Sequence, residues 1–258
     1  MKQVATLFSS SILKAQLFFA FALVSSVCAV FTYGLDLYSL LFMFIGYFLY
    51  GCLGIVVAFH RYWTHQSYNT NPLLIKIFSL LGCFGGTGSP LAWANIHVNH
   101  HLYSDKEGDP HSPSISGLRI FTLNYSIKNK TEYLRHILRD PFQKILHRYY
   151  FLFLVLYGIG LFIVGGVYLT CFLFLLPATI TVLMSNIVNY VGHKPTYPGS
   201  YRTFNLKDQS SNNWLWAIPS WGESWHNNHH RFPKNSTFKY KWWEFDIAGI
   251  VIQIIKYK

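Results

Sequence analysis

Long apolar runs alternate with polar, histidine-rich segments along this chain of 258 residues. Residues 15–33 and 37–59 are each long enough to cross about 30 Å of hydrocarbon as a helix. Residues 149–191 contain no charged side chain. That run is too long for one crossing and suits two, folded back near Gly165 and Gly166. The pattern predicts an all-α integral membrane protein with four transmembrane helices, at about 15–33, 37–59, 149–166 and 168–191.

Residues 73–94 are also apolar, but Lys76 and a Gly/Ser/Pro run at 85–90 interrupt them. We interpret this stretch as an interfacial or buried helix and not as a crossing. Cysteines also occur only in apolar stretches, without Cys-x-x-Cys spacing, and we expect them to be small buried side chains and not disulfides or metal ligands. They are Cys28, Cys52, Cys83 and Cys171.

Composition and charge agree with a membrane protein. Charged residues make up 12% of the chain, about half of the roughly 25% usual for soluble domains. The chain has 21 Lys and Arg against 10 Asp and Glu, and the basic residues avoid the two predicted turns between spans. This distribution predicts cytoplasmic regions at 60–148 and 192–258. It favours membrane lipids and not nucleic acid as the partner. At this length we expect one domain, 1–258.

Three histidine clusters lie in the predicted cytoplasmic regions. HVNHH (97–101) and HNNHH (226–230) share the pattern H-x-x-H-H, and HRYWTH (60–65) carries a looser pair. Positions i, i+3 and i+4 share one helix face, so three imidazoles can converge on one point. At this chain's histidine frequency the pattern arises by chance roughly once in ten thousand positions. Its double occurrence predicts a metal site.

The number of clustered histidines favours two metal ions. A structural zinc site has four ligands, usually with cysteine among them, whereas a histidine-rich shell suits Fe, Cu, Ni or Zn. The carboxylate di-iron site of ferritin-like bundles needs two Glu-x-x-His pairs, and only Glu223 and His226 match. His60 and His65 lie about 140° apart on a regular helix, so they can face one ion only where the helix unwinds.

The three clusters resemble the histidine boxes of the membrane fatty acid desaturases. The flanking segments HVNHHLYSDKEGDPHSP, NYVGH and the stretch ending in WHNNHHRFP resemble those of acyl-CoA Δ9 desaturases of bacterial and stearoyl type. The resemblance covers nearly the whole chain: two spans, box one, a loop with box two, two spans and box three.

This resemblance implies a di-iron site that reacts with O2. One iron is expected to take His60, His65, His97, His101 and His229. The other is expected to take His100, His193, His226 and His230, with Asn189 reaching it through a water. The remaining histidines have no counterpart among the ligands: we expect His111 to support the ligands or the loop, and His136 and His147 to be solvated.

The implied activity is an O2-dependent desaturation that places a cis double bond, expected at Δ9, in a saturated acyl chain. The expected carrier is coenzyme A, with acyl carrier protein or a lipid as alternatives. We expect no fused cytochrome b5 module, and therefore we expect electrons from a separate ferredoxin, rubredoxin or cytochrome b5. A bacterial inner membrane is favoured over the endoplasmic reticulum. Ser185 and Asn186 replace the Thr-Trp pair at the expected bend of the substrate tunnel, which leaves chain length and bond position open.

Other residues suggest weaker roles. Asp105 and Asp109 could bond ligand imidazoles or form a turn. Five tryptophans could line a substrate entrance or mark the membrane interface: Trp93, Trp221, Trp225, Trp242 and Trp243. Six loop cations could bind a phosphorylated carrier or lipid head groups: Lys106, Arg119, Lys128, Lys130, Arg135 and Arg139.

Two other classes of function fit parts of the pattern. The box spacing does not exclude a related membrane hydroxylase or ketolase with the same di-iron chemistry, because hydrogen abstraction followed by oxygen rebound gives an alcohol. A membrane metal transporter or haem-binding electron carrier would place its ligands within the spans, whereas here the clusters lie at span ends. The flanking sequences favour desaturation.

Overall fold

The computed structural model describes residues 2–124 and 127–257, with side chains described from residue 13 onward. This part of the chain is mainly helical. Two short antiparallel strands, β1 (Ser200–Tyr201) and β2 (Asn212–Asn213), pair Ser200 with Asn213. The helices are α1 (Lys2–Tyr33), α2 (Leu37–Tyr47), α3 (Pro72–Phe84), α4 (Pro90–Tyr103), α5 (Pro113–Ser116), α6 (Arg135–Arg139), α7 (Pro141–Arg148), α8 (Tyr150–Thr170), α9 (Leu176–Gly192), α10 (His226–Arg231) and α11 (Ile247–Ile255), with π-helical segments at Phe48–Thr64 and Cys171–Leu175 and a 3-10 helix at Gly117–Thr122.

Three helical stretches in the described residues are long and apolar enough to cross a membrane: Leu13–Tyr33, Leu37–Thr64 and Tyr150–Gly192. In the most apolar 18 residues of each stretch, only 17%, 44% and 22% are buried. Most of their apolar side chains therefore face outward, where lipid can cover them. The first two meet at the predicted turn. Gly34 adopts φ +72° there, and the Asp36 carboxylate accepts a hydrogen bond from the Ser39 N–H to cap α2.

The second apolar helix was predicted to end at residue 59, but the structure extends it further. It continues to Thr64 as a π-helix, in which each N–H bonds the carbonyl five residues earlier. Helix α3 packs against this segment through two glycines. A Cβ atom on Gly54 would lie 2.3 Å from the Cα of Gly82, so side chains at these positions would force the helices apart.

The third apolar stretch is broken at Gly165 and Gly166, whose backbone angles are not helical. The ring of Tyr157 lies 5.0 Å from that of Phe174, between centroids. In a straight helix these two residues would be about 25 Å apart along the axis, so the chain reverses between them. This is the fold-back that the two glycines predicted.

The apolar residues 73–94 form parts of two helices, and the prediction of a single helix was wrong. Helix α3 has 13 residues, too few to cross a membrane. The glycine-rich segment after it ends at Ser89, whose hydroxyl caps α4, and α4 carries the HVNHH motif. The four cysteines are free; Cys28 is exposed and the other three are buried.

Candidate metal centre

Nine histidines from the π-helical segment and its end, α4, the end of α9 and α10 meet in two adjacent groups. Within each group the ring nitrogens that could bind a metal lie within 4.8 Å of one another. The first group is His60, His65, His97, His101 and His229. The second group is His100, His193, His226 and His230. These are the same two sets of histidines that the resemblance assigns to two irons.

Each H-x-x-H-H helix contributes to both groups. In α4, His97 and His101 join the first group and His100 joins the second. In α10 the two outer histidines join the second group and His229 joins the first. The three imidazoles of one motif therefore do not converge on one point. The i, i+4 pair lies on one line along the helix, and the i+3 residue is rotated about 100° from its i+4 neighbour.

His60 and His65 reach the same group because of the π-helical turn between them. The N–H of His65 donates to the carbonyl of His60 at 3.1 Å, and the two ring centroids are 4.8 Å apart. The wider turn places residues five apart nearly above one another. The helix therefore widens, and it does not need to unwind as the sequence suggested.

Three carboxylates set the tautomers of the second group. They face Nδ1 of three imidazoles, and because a carboxylate accepts, Nδ1 carries the proton and Nε2 the lone pair. The Nε2 atoms of the group face one another at 3.0 to 3.3 Å. Facing lone pairs repel unless a cation lies between them. Metal–nitrogen bonds of about 2.1 Å at right angles place nitrogens about 3.0 Å apart, so this donor set fits a metal ion. The carboxylate pairs are His100–Asp109 (2.9 Å), His193–Asp105 (2.8 Å) and His230–Asp208 (2.9 Å).

The same carboxylates stay charged although they are partly buried. Burial raises the pKa of Asp109, but His100 and further hydrogen bonds outweigh it and lower the pKa below its usual range. Asp208 shows the same balance beside His230. Burial first, and then the neighbouring imidazoles, lower the pKa of six histidines well below 6.5, which keeps them in the neutral form that binds metals. They are His65, His97, His101, His226, His229 and His230.

Arg61 joins the first group to the C-terminal part of the chain. Its fully buried guanidinium donates to Glu223 at 3.2 and 2.9 Å and to Asp246 at 2.8 and 3.0 Å. A fifth bond goes to the carbonyl of Ser236 at 3.0 Å. The other oxygen of Glu223 contacts Nδ1 of His60. Arg61 therefore fixes the carboxylate that orients a histidine of the first group.

The two asparagines of HNNHH hold α10 in place. The Asn228 amide donates to the carboxylate of Glu244 at 2.9 Å. The Asn227 amide donates to the carbonyls of Phe204 and Ser210 at 3.0 and 3.1 Å. A helix of six residues has little stability of its own, so these buried bonds are what fix the direction of its histidines.

An apolar cavity of about 710 Å³ opens beside both groups. Its wall includes His97 and His226, and it extends along the π-helical segment to Gly51 and Tyr47. Trp221 closes that side: its ring lies 4.9 Å from that of Tyr47, and its Nε1 would be 3.1 Å from a Cβ on Gly51. The size and mainly apolar wall suit a long hydrocarbon chain.

Several predicted residues also line this cavity. Ser185, Asn186 and Asn189 of α9 do so, Asn189 one helical turn before His193. His111 is buried with its ring 5.6 Å from that of His100, and burial lowers its pKa to about 3. This position agrees with the expected supporting role.

His136 and His147 were wrongly predicted to be solvated. Both are half-buried. Nε2 of His136 bonds the carbonyl of Trp63 at 2.5 Å, and Nδ1 of His147 bonds the hydroxyl of Ser89 at 2.7 Å. Both hydrogen bonds join the α6–α7 region to the core of helices, a role that the basic character of the local sequence hid.

The five tryptophans divide among the cavity wall, the buried interior and the surface. Trp93 and Trp221 line the cavity, whereas Trp225 is buried and donates to the carbonyl of Phe245 at 2.9 Å. Trp242 and Trp243 are exposed, at 87% and 42%. None of the six predicted loop cations lines the cavity; the cations that do are Lys14, Lys144 and Arg148.

Some of the supporting carboxylates were predictable from the sequence and others were not. The contacts of Asp105 and Asp109 with imidazoles are confirmed. Asp208 and Asp246 were missed because they lie in no local motif. Glu223 was considered only as half of a Glu-x-x-His pair, yet it contacts a histidine of another helix.

Apolar helices, clustered neutral imidazoles and an adjoining apolar cavity define a membrane-type protein whose site suits chemistry on a hydrocarbon chain. The sequence model of the fatty acid desaturase family matches residues 37–248. The chain therefore belongs to the fatty acid desaturase family and is an oxidoreductase of the desaturase type.

Three relatives illustrate the range of the family. The hex-5-enoyl-(acyl-carrier protein) acetylenase of Moorena producens (strain JHB) is 32% identical over 230 residues, covering 81% of this chain and 72% of that protein. The sn-1 stearoyl-lipid 9-desaturase of Anabaena variabilis is 31% identical over 216 residues, covering 81% and 78%. The acyl-CoA C20 Delta5-desaturase of Anemone leveillei is 29% identical over 219 residues, covering 82% and 69%.

Proposed function

We propose that this chain places a cis double bond, at Δ9, in a saturated fatty acyl chain, using O2 and two iron ions. One iron would be held by the first histidine group and the other by the second, with Asn189 binding through a water. The observation that carries the proposal is the pair of inward-facing sets of neutral imidazoles beside an apolar cavity. The Anabaena variabilis relative, named as a 9-desaturase, supports the bond position.

Bound iron would supply the oxidising power that protein side chains lack. Overall, R–CH2–CH2–R′ + O2 + 2 electrons + 2 protons gives R–CH=CH–R′ + 2 H2O. The chain's own residues keep the imidazoles neutral through burial and orient them through Asp105, Asp109, Asp208 and Glu223. The cavity excludes water and holds one pair of carbons beside the histidines.

The same proposal includes the topology and the partners. The reversal at Gly165 and Gly166 and the distribution of basic residues support four crossings, with the histidines on the cytoplasmic side. A bacterial inner membrane remains our proposal. Electrons would come from a separate ferredoxin, rubredoxin or cytochrome b5. The names of the relatives include lipid, coenzyme A and acyl carrier protein as carriers.

Product analysis in a desaturase-deficient host tests this function. We expect a new monounsaturated acid in the fatty acid methyl ester profile when the chain is expressed with a competent donor. The double variant His100→Ala, His229→Ala removes one histidine from each group and should abolish it. His136→Gln, which changes a histidine outside both groups, should retain it.

The rival functions give other results. A hydroxylated acid without an alkene would support the hydroxylase reading. A haem absorption band, or no new acid together with metal transport, would support the carrier or transporter class. Stable protein with bound iron and no change in the lipids would count against all oxidation of acyl chains.

A further inference from the structure

Three cations line the cavity that adjoins the histidine groups: Lys14, Lys144 and Arg148. Among the described residues of the lining, Glu223 is the only acid, and it is already bonded to Arg61. The positive charge of these three side chains is therefore not neutralised within the cavity. An anionic group of a ligand in the cavity would therefore find these cations without a competing carboxylate.

The three cations lie around one part of the cavity. Lys144 and Arg148 are one turn apart on the same face of α7. The ammonium group of Lys14 lies 5.6 Å from the ring centroid of Phe151, at the start of α8. All three cations are exposed, so this part of the cavity opens to the surface.

Their position along the chain also places them at the membrane surface. Lys14 is the second residue of the apolar stretch Leu13–Tyr33, and Arg148 lies two residues before the stretch Tyr150–Gly192. Basic side chains at span ends extend to the depth of lipid head groups. From there the lining changes to apolar residues such as Phe151 and Ile55 and reaches His97. The lining thus suits a ligand with an anionic head and a long apolar tail.

We propose that Lys14, Lys144 and Arg148 bind the phosphate of a membrane phospholipid whose acyl chain lies in the cavity. This inference rests on the proposed function and names its substrate class. It differs from the coenzyme A carrier expected from sequence. The six loop cations expected to bind a phosphorylated carrier do not line the cavity. Lys14, Lys144 and Arg148 do line it, and cations at span ends lie at the depth of a lipid phosphate.

Ligand retention by the purified, metal-free chain tests the proposal without turnover. The protein in uncharged detergent is equilibrated with equal amounts of distearoyl-phosphatidylglycerol, distearoyl-monogalactosyldiacylglycerol and stearoyl-CoA, and the retained ligands are measured by mass spectrometry. The test variant is Lys14→Gln, Lys144→Gln, Arg148→Gln. The control, Lys207→Gln, Lys234→Gln, Lys239→Gln, removes the same charge from exposed positions outside the cavity.

We expect the natural chain and the control to retain phosphatidylglycerol in preference to both other ligands. The test variant should lose this preference, by roughly fivefold for each cation removed. The variant Lys14→Arg, Lys144→Arg, Arg148→Lys keeps the charge and should keep the preference, which separates charge from misfolding.

Equal retention of phosphatidylglycerol and galactolipid, or a preference that survives in the test variant, would overturn the proposal. Greater retention of stearoyl-CoA would overturn the lipid as its source. If phosphatidylglycerol is retained as expected but no alkene forms in cells, the proposed function fails and the head-group site stands. If alkene forms without selective retention, only the head-group site fails.

Discussion

Replacing Arg61 should weaken the first histidine group although Arg61 itself belongs to neither group. Its partners Glu223 and Asp246 have side chains that are only 13% and 0% exposed. In Arg61→Gln both carboxylates lose their cation inside the protein. Removing one partner of a buried ion pair costs about 3–5 kcal/mol. The same change frees Glu223 to turn away from His60.

Two further variants separate the causes. Arg61→Lys keeps a positive charge, but an ammonium group cannot reproduce the planar donors that serve both carboxylates, so we expect a smaller loss. Arg119→Gln removes an exposed arginine and should change the free energy of unfolding by no more than about 0.5 kcal/mol.

Thermal unfolding in detergent and iron content per chain measure the effect. A loss of 3–5 kcal/mol should lower Tm by roughly 10 °C in a chain of this size, and Arg61→Gln should lose iron before it unfolds. The reasoning is refuted if Arg61→Gln keeps the Tm of the natural chain. If Tm falls but the iron content is unchanged, Arg61 stabilises the fold without positioning His60.

Three more predictions follow from the site. Asp109→Asn should weaken iron binding by roughly 10- to 100-fold, measured by competition with a chelator, since the amide no longer fixes the proton on His100. Trp221→Ala should shift the products towards longer acyl chains in the methyl ester profile, because it opens the cavity beyond Tyr47; exposed Trp242→Ala should not. The Tm of the metal-free chain should fall as pH falls below 6.5, because folding lowers the pKa of six imidazoles, which in this range take up protons only in the unfolded chain. A constant Tm from pH 7 to 5 would contradict this prediction. Added iron should reduce the fall in Tm.

The apolar runs located the membrane helices because few other structures suit so many consecutive apolar residues. Gly165 and Gly166 marked the reversal, since glycine is permissive of the backbone angles found there. The end of the second helix was not predictable locally. The π-helical turn at residues 60–65 lies among long-range contacts, such as the hydrogen bond that Trp63 donates to the Ser79 hydroxyl of α3 at 2.7 Å, and local sequence does not record them.

The histidines of the site were predictable because their spacing is improbable by chance. The residues that orient these histidines were harder to predict from the sequence. Arg61 looked like an ordinary basic residue at the end of a span, and its partners Glu223 and Asp246 lie more than 160 positions away. Asp208 reaches His230 only after the segment between α9 and α10 has folded. Such contacts follow from tertiary structure, which no short motif records.

The division of each H-x-x-H-H motif between the two histidine groups ties the groups together mechanically. A small rotation of α4 that brings His97 closer to its group must move His100 within the other. If both groups bind iron as proposed, filling one would help to order the helices that build the other, and the two would load cooperatively. Cooperative loading would favour empty and fully loaded chains over half-loaded ones, so few chains would hold one metal ion without the second that the proposed function needs.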